Sequence, residues 1–157
     1  MIKRQGVRAI LLTPQEEVLL MRVIEPVSRR AFWLTPGGGA DDGEDKIATL
    51  KRELLEEVGR NNFEIGPEVW RRDHQFSWDE RLYHQIDHFY LVRTSRFTPT
   101  TDNMPDQIEL DAFDGFHWWP LPEIEQSDEV FVPRRLGTLL RDLIKNGSPP
   151  VVVEVGV

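Results

Sequence analysis

Two hydrophobic spacings alternate along this chain. Val7 to Leu12 and Val18 to Ile24 are short, largely apolar runs separated by Thr13-Pro14-Gln15-Glu16. That pattern predicts two strands joined by a turn. After the polar break Glu25 to Arg30, Ala31 to Leu34 reads as a third strand leading into the Pro36-Gly37-Gly38-Gly39 turn. The spacing then changes: Ile47, Leu50, Leu54 and Val58 recur at helical intervals and predict a helix over residues 45–59, with Asp45 as its N-cap. Phe63 to Ser77 and Leu82 to Arg93 read as long strands around the turn Trp78-Asp79-Glu80. Thr94 to Asp114 is expected to be mostly loop, Phe116 to Trp119 a short strand, and Leu121 to Ile124 a brief helix. A second amphipathic helix is expected over 133–146, with Leu136, Leu139, Leu140, Leu143 and Ile144 on one side and Gly147 as its stop. Many strands with two spaced helices predict an α/β or α+β sandwich.

The first helix also carries Glu53, Glu56 and Glu57, which share a face at i, i+3 and i+4. Three carboxylates this close raise one another's pKa unless cations sit among them. Arg52 offsets part of that charge, and a divalent ion would offset more. Oxygen donors suit Mg²⁺ or Mn²⁺, with Mg²⁺ commonly completed by water and phosphate. A plain reading stands beside this one: a solvated acidic face with Lys51 and Arg52 as ordinary ion-pair partners. The preceding glycines change the weighing, because they permit close approach of backbone to a ligand.

Gly38, Glu44, Arg52, Glu53, Leu54, Glu56, Glu57 and Gly59 fall in register with G-x5-E-x7-R-E-U-x-E-E-x-G-U, where U is a bulky apolar residue. By this motif the chain resembles the Nudix hydrolase family, MutT-like members included. One departure is Arg60 at the last apolar position, which touches packing more than chemistry. The resemblance implies an α/β/α sandwich with a mixed β-sheet, spanning 1–157 as one domain. It also implies metal-dependent hydrolysis of a phosphoanhydride in a nucleoside diphosphate linked to another moiety. Carried over by residue, Glu56 and Glu57 are metal ligands, Glu53 is a third ligand or orients the others, and the Gly38 carbonyl joins them. Arg52 fixes a glutamate rotamer and Glu44 closes the motif structurally. The base is Glu57 or a carboxylate outside the motif, with Glu109 the first choice and Asp102, Asp106 and Asp111 its rivals.

Other residues carry two readings each. Arg29 and Arg30 either reach phosphates or are exposed loop arginines. Phe32 and Trp33 either line a substrate pocket or pack in a strand core. His74, Phe76 and Trp78 share a strand face that is either a substrate wall or ordinary packing. His84 and His88 also share a face, as a ligand pair or plain sheet surface. Trp118 and Trp119 should point to opposite sides. The apolar tail Val151 to Val157 docks on its own chain, adds an edge strand or makes a homodimer.

Length and charge limit the rest. At 157 residues the chain can bury a substantial core, and a net charge of −8 argues against a broad basic nucleic-acid surface, so long nucleic acid is not expected as a partner. There is no cysteine and no apolar run of membrane length, so a soluble cytoplasmic protein with no membrane partner is expected. Among substrates, a (deoxy)nucleoside triphosphate or an oxidised one such as 8-oxo-dGTP is favoured, yielding monophosphate and pyrophosphate. A non-nucleotide diphosphate and a ligand-sensing domain without turnover are the alternatives.

Overall fold

The structure is a computed structural model that describes residues 1–41, 43–105 and 107–157, with the side chains of 107–109 outside the description. In chain order the elements are β1 (Ile2–Leu12), β2 (Glu17–Ile24), β3 (Ala31–Leu34), β4 (Gly37–Ala40), α1 (Lys46–Val58), β5 (Glu68–Trp78) and β6 (Arg81–Arg93). There follow α2 (Gln107–Ala112), β7 (Phe113–Pro120), α3 (Leu121–Gln126), β8 (Phe131–Val132), α4 (Leu136–Asn146) and β9 (Val153–Glu154).

The strands form one mixed sheet in the order β8-β3-β2-β1-β6-β5-β9, with β4 also on β1 and β7 also on β2. β1 runs parallel to β6 from Ile2↔Tyr83 to Leu12↔Arg93. Its contact with β2 is confined to the Leu12↔Val18 end. Beyond that point the two strands take different partners: β1 takes β4, and β2 takes β3 and β7. The sheet therefore divides into two wings hinged where β1 meets β2.

Alternation along β1 explains both cores. Val7, Ala9 and Leu11 face α1, where Leu50, Leu54 and Val58 complete one buried cluster. Ile10 and Leu12 face the other way, toward Leu121, Ile124, Leu136, Leu140 and Leu143 of α3 and α4. A strand buried on both faces reads as a continuous apolar run, as Ala9 to Leu12 does. This is the α/β/α sandwich with a mixed sheet expected from the sequence.

Several boundaries move for local reasons. The glycine turn is in fact β4, paired with β1 through Gln5↔Ala40, Gly6↔Gly39, Val7↔Gly38 and Arg8↔Gly37. Here glycine is required: a Cβ on Gly37, at φ 154°, would sit 1.9 Å from the Val7 carbonyl oxygen. The strand expected from Phe63 begins at Glu68, since Pro67 has no N–H to add to the ladder. Helix α4 starts at Leu136 rather than 133, because Phe131 and Val132 are taken up by pairing with β3. Trp118 and Trp119 do point to opposite faces, and both are covered: Trp118 donates to the Phe97 carbonyl (2.9 Å), while Trp119 packs on Trp33 and Phe131. The tail docks on its own chain, with β9 parallel to β5 and Val155 buried. Among the described residues no helix is long and apolar enough to cross a membrane.

Leu54 is fully buried between α1 and the sheet. Leu54→Ala should lower unfolding free energy by about 2–5 kcal/mol in a denaturant titration. A loss below about 1 kcal/mol would contradict this packing of α1.

Candidate active site

Helix α1 is fixed at both ends. The Asp45 carboxylate accepts from the Ala48 N–H at 3.0 Å, and the Thr49 hydroxyl donates to the Asp45 carbonyl at 2.9 Å. Gly59 closes the other end in the left-handed conformation, its N–H donating to the Leu55 carbonyl at 3.1 Å. With the apolar stripe buried, the polar face of α1 is held against β4.

That contact is close. The Gly37 N–H donates to Glu57 Oε2 at 2.9 Å. The Glu53 carboxylate lies so near Gly38 that a Cβ there would be 2.3 Å from Glu53 Oε2. Glu53 is also buried, not aimed away from the core as an exposed acidic face would be. Arg52 Nη1 donates to Glu53 (3.1 Å) and Glu56 (3.5 Å), and its Nη2 donates to Glu44 (3.4 Å). Burial works against the charge on Arg52, but Glu53, Glu44 and Glu56 outweigh it and hold its pKa above the ordinary value. The Asp41 N–H at 3.0 Å holds Glu44 below the usual carboxylate range, and this pair closes the loop before α1.

The donors here are all oxygen: the carboxylates of Glu53, Glu56 and Glu57 and the carbonyl of Gly38, a set suited to a hard divalent cation. The space left by the missing Gly38 Cβ lets a carboxylate meet backbone, which fits that use. Among the described residues no three His, Asp or Glu side chains yet converge as an ion would draw them. They are spread between Arg52 and the Gly37 N–H.

The other expected residues fall in different places. Arg29 lines a cleft of about 220 Å³ with Ile24, Pro26, Asp79, Asp111 and Ala112, and Arg30 is exposed beside it. Trp33 lies in the core on the α4 side, its indole Nε1 without an acceptor. Phe76 is half-buried and stacks between His74 (4.9 Å) and Tyr83 (5.2 Å), while Trp78 meets Phe32 edge-on. His84 pairs with Asp73, and His88 bridges Glu68 and Gln5, so both are satisfied on the sheet surface. Asp102 is exposed in the loop before α2. Asp106 and the Glu109 side chain lie outside the described residues.

Two features escaped sequence reasoning. Glu25 ties two loops together, accepting from the N–H groups of Val27 (2.9 Å), Ser28 and Asp79 (2.9 Å). The Ser28 and Asp79 N–H groups lead in holding its pKa down to about 2. The second is a polar group of half-buried Arg8 with buried Arg72, His74, Gln85 and Asp87 across β1, β5 and β6, on the sheet face away from α1. No local motif announces either; strand pairing brings their members together.

Comparisons with known proteins bear on the family and the fold. The family model of the NUDIX domain matches residues 2–140. A Sulfurovum protein named RNA pyrophosphohydrolase is 41% identical over 140 residues, spanning 82% of this chain and 80% of its own. A Helicobacter pylori protein of the same name is 38% identical over 121 residues, 73% of this chain and 77% of its own. The fold resembles the MutT protein of Methanosarcina mazei (TM-score 0.63, 18% identity, covering 92% of this chain and 97% of that one). It also resembles the E. coli ORF135 protein (TM-score 0.62, 23% identity, 96% of each chain). Enzymes that cleave phosphoanhydrides are thus the class to which this chain belongs. The chain belongs to the Nudix hydrolase family and is a pyrophosphohydrolase of the kind that generally uses divalent metal ions.

Two outcomes follow from the site's geometry. Gly38→Ala drives the Glu53 carboxylate out of place and should lower turnover by about 10–100-fold. Gly39→Ala, whose new Cβ would have its nearest neighbour at 3.8 Å, should stay close to wild type in the same assay. Glu25 makes a pH test. Its folded pKa is depressed from 4.5 to about 2, so its stabilisation is complete above 4.5 and disappears as pH falls toward 2. Melting curves between pH 7 and 3 should show a shallower decline for Glu25→Gln than for wild type; parallel declines would remove Glu25 from this role.

Proposed function

We propose that this protein releases pyrophosphate from the 5′-triphosphate end of RNA, leaving a 5′-monophosphate. What carries the reading is the placement of Glu53 and Glu57 against β4, together with two relatives that share most of their length with this chain and bear the name RNA pyrophosphohydrolase. The net charge of −8 argues against a broad RNA-binding surface, and the two facts are compatible if only the end of the RNA is gripped. A free (deoxy)nucleoside triphosphate offers the same anhydride and is the comparison substrate. The MutT-like structural neighbours bear on fold alone.

In this reading Glu56 and Glu57 are the principal metal ligands, Glu53 is a third or orients them, and the Gly38 carbonyl completes the set. Mg²⁺, or Mn²⁺ in its place, supplies neutralisation of the phosphate oxygens and activation of the attacking water. Arg52 spaces the carboxylates, and Glu44 holds Arg52. The Gly37 N–H, at 2.9 Å, fixes one oxygen of Glu57 against β4. The base is Glu57 or a carboxylate near α2, with Glu109 first and Asp102 or Asp111 as rivals. In this reading Arg29, which lines a cleft with Asp111 and Ala112, and Arg30 would meet substrate phosphate, and Phe76 would contact the nucleoside. Most of the catalysis is positioning and charge stabilisation, as phosphoryl transfer requires.

The test is turnover of a 5′-triphosphorylated oligoribonucleotide, nucleoside triphosphates and oxidised dNTPs, with Mg²⁺ and with Mn²⁺. Glu57→Gln should reduce kcat by about 10²–10⁴-fold if Glu57 is the base. A drop under tenfold would move that role to the α2 region. Turnover of free nucleotides but not of RNA would sink the RNA reading. Absence of any turnover would favour a non-nucleotide diphosphate or a sensing role.

A further inference from the structure

The polar group on the sheet face away from α1 is unbalanced. Arg8 Nε lies 3.6 Å from Asp87 Oδ1, and Arg72 Nη1 lies 4.0 Å from Asp87 Oδ2. His74 Nε2 is 3.0 Å from that same Oδ2, and Gln85 Nε2 donates to Oδ1 at 2.6 Å. One carboxylate thus faces two guanidiniums, and its hydrogen-bonding capacity is largely used by His74 and Gln85. A third guanidinium, Arg134, stands exposed at the rim and acts electrostatically on Arg72. Burial, only partly offset by Asp87, pushes the Arg72 pKa down to about 10, so its charge is held in a place that disfavours it.

The hydrogen bonding is also incomplete. Arg72 is 9% exposed and its Nε is buried with no acceptor among the protein atoms; His74 Nδ1 is likewise unpartnered. Burying a charged donor without an acceptor costs free energy that a bound anion would recover. A guanidinium with an N–H that lacks an acceptor is suited to a phosphate oxygen.

Position narrows the ligand. Arg8 pairs with Gly37 in register and donates to the Thr35 carbonyl at 3.1 Å, so the cluster is next to the catalytic strand. It nevertheless faces away from α1, while Glu53 and Glu57 contact β4 from the α1 side. A group bound by the cluster is therefore a second anion beyond the one at the motif carboxylates. Beside it runs a row of rings, His74, Phe76 and Tyr83, with the Arg4 guanidinium 4.7 Å over Tyr83. Rings next to a cationic surface are how single-stranded nucleic acid is held without reading its sequence.

We infer that Arg72, with Arg8 behind it and Arg134 at the rim, binds the first internucleotide phosphate of the RNA. This rests on the RNA reading above, and it supplies a physical reason for preferring a polymer end to a free nucleotide, which has no such phosphate.

The decisive comparison uses a 5′-monophosphorylated dinucleotide and the same molecule with a neutral methylphosphonate linkage. Neither has an anhydride to cleave, so both can be titrated calorimetrically onto wild-type protein with Mg²⁺ present. The charged linkage should bind about 10–100-fold tighter. Arg72→Gln should erase that difference and reduce the salt dependence of binding by about one phosphate contact, with Arg72→Lys retaining part of it. Because Arg72 is buried, melting curves accompany its variants, and Arg134→Gln at the exposed rim should shrink the same difference without touching the core. Equal binding of the two linkages by wild type, or equal weakening of both by Arg72→Gln, would overturn the subsite. So would an Arg72→Gln loss of turnover as large on nucleoside triphosphate as on triphosphorylated RNA, since the cluster would then hold the triphosphate itself. Triphosphorylated RNA left intact by a protein that still prefers the charged linkage would remove the reaction and keep the subsite. RNA hydrolysis without that preference would do the reverse.

Discussion

The pairing of Gly37–Ala40 with β1 is the contact on which the rest of this molecule depends. β1 is buried on both faces in its second half and bound to β6 along its whole length, which leaves it little freedom to move. Three glycines bring a second backbone flat against it, and α1 is then clamped on the result by Leu50 and Leu54. The carboxylates of Glu53 and Glu57 reach β4 because the helix beneath them has little freedom to shift. A site built this way rests on regular elements, so its precision comes from the core.

Charge is arranged in opposition across that sheet. On the α1 side, glutamates crowd around Arg52, in a protein already carrying −8. On the other side, arginines crowd around Asp87, where burial opposes its charge while Arg8, His74 and Gln85 hold its pKa well below the usual carboxylate range. Each side carries an excess that an ion of the opposite sign would relieve: a cation among the glutamates, an anion among the arginines. A substrate that bridges metal-bound phosphate and a further phosphate would satisfy both.

Local rules served well where a single element was enough. Asp45 and Gly59 cap α1 as their residue types suggest, and the stripe from Ile47 to Val58 turned inward as its spacing required. They served less well for Gly37–Ala40, because strand pairing with Gln5–Arg8 spans a distance in sequence that a turn signal does not carry. Trp33 and Phe76 differ in cover: one packs with Trp119 in the core, the other is half-open beside Tyr83. Alternation along a strand shows which residues share a face and leaves unsaid which face another layer will cover.

The sequence by itself determined the reaction class, through a motif in register with that of one family, and it determined that Glu53, Glu56 and Glu57 share a face, because residues three and four apart on a helix are neighbours wherever the helix goes. It determined the strand at Val7 to Leu12 as well, through its largely apolar run. Only the tertiary structure decided that Glu53 is buried against Gly38, that Glu25 joins two loops, and that Arg8, Arg72 and Asp87 meet. Those contacts depend on the register of β1 with β6 and of β5 with β6, and register is set by the packing of whole strands, not by any short run of residues.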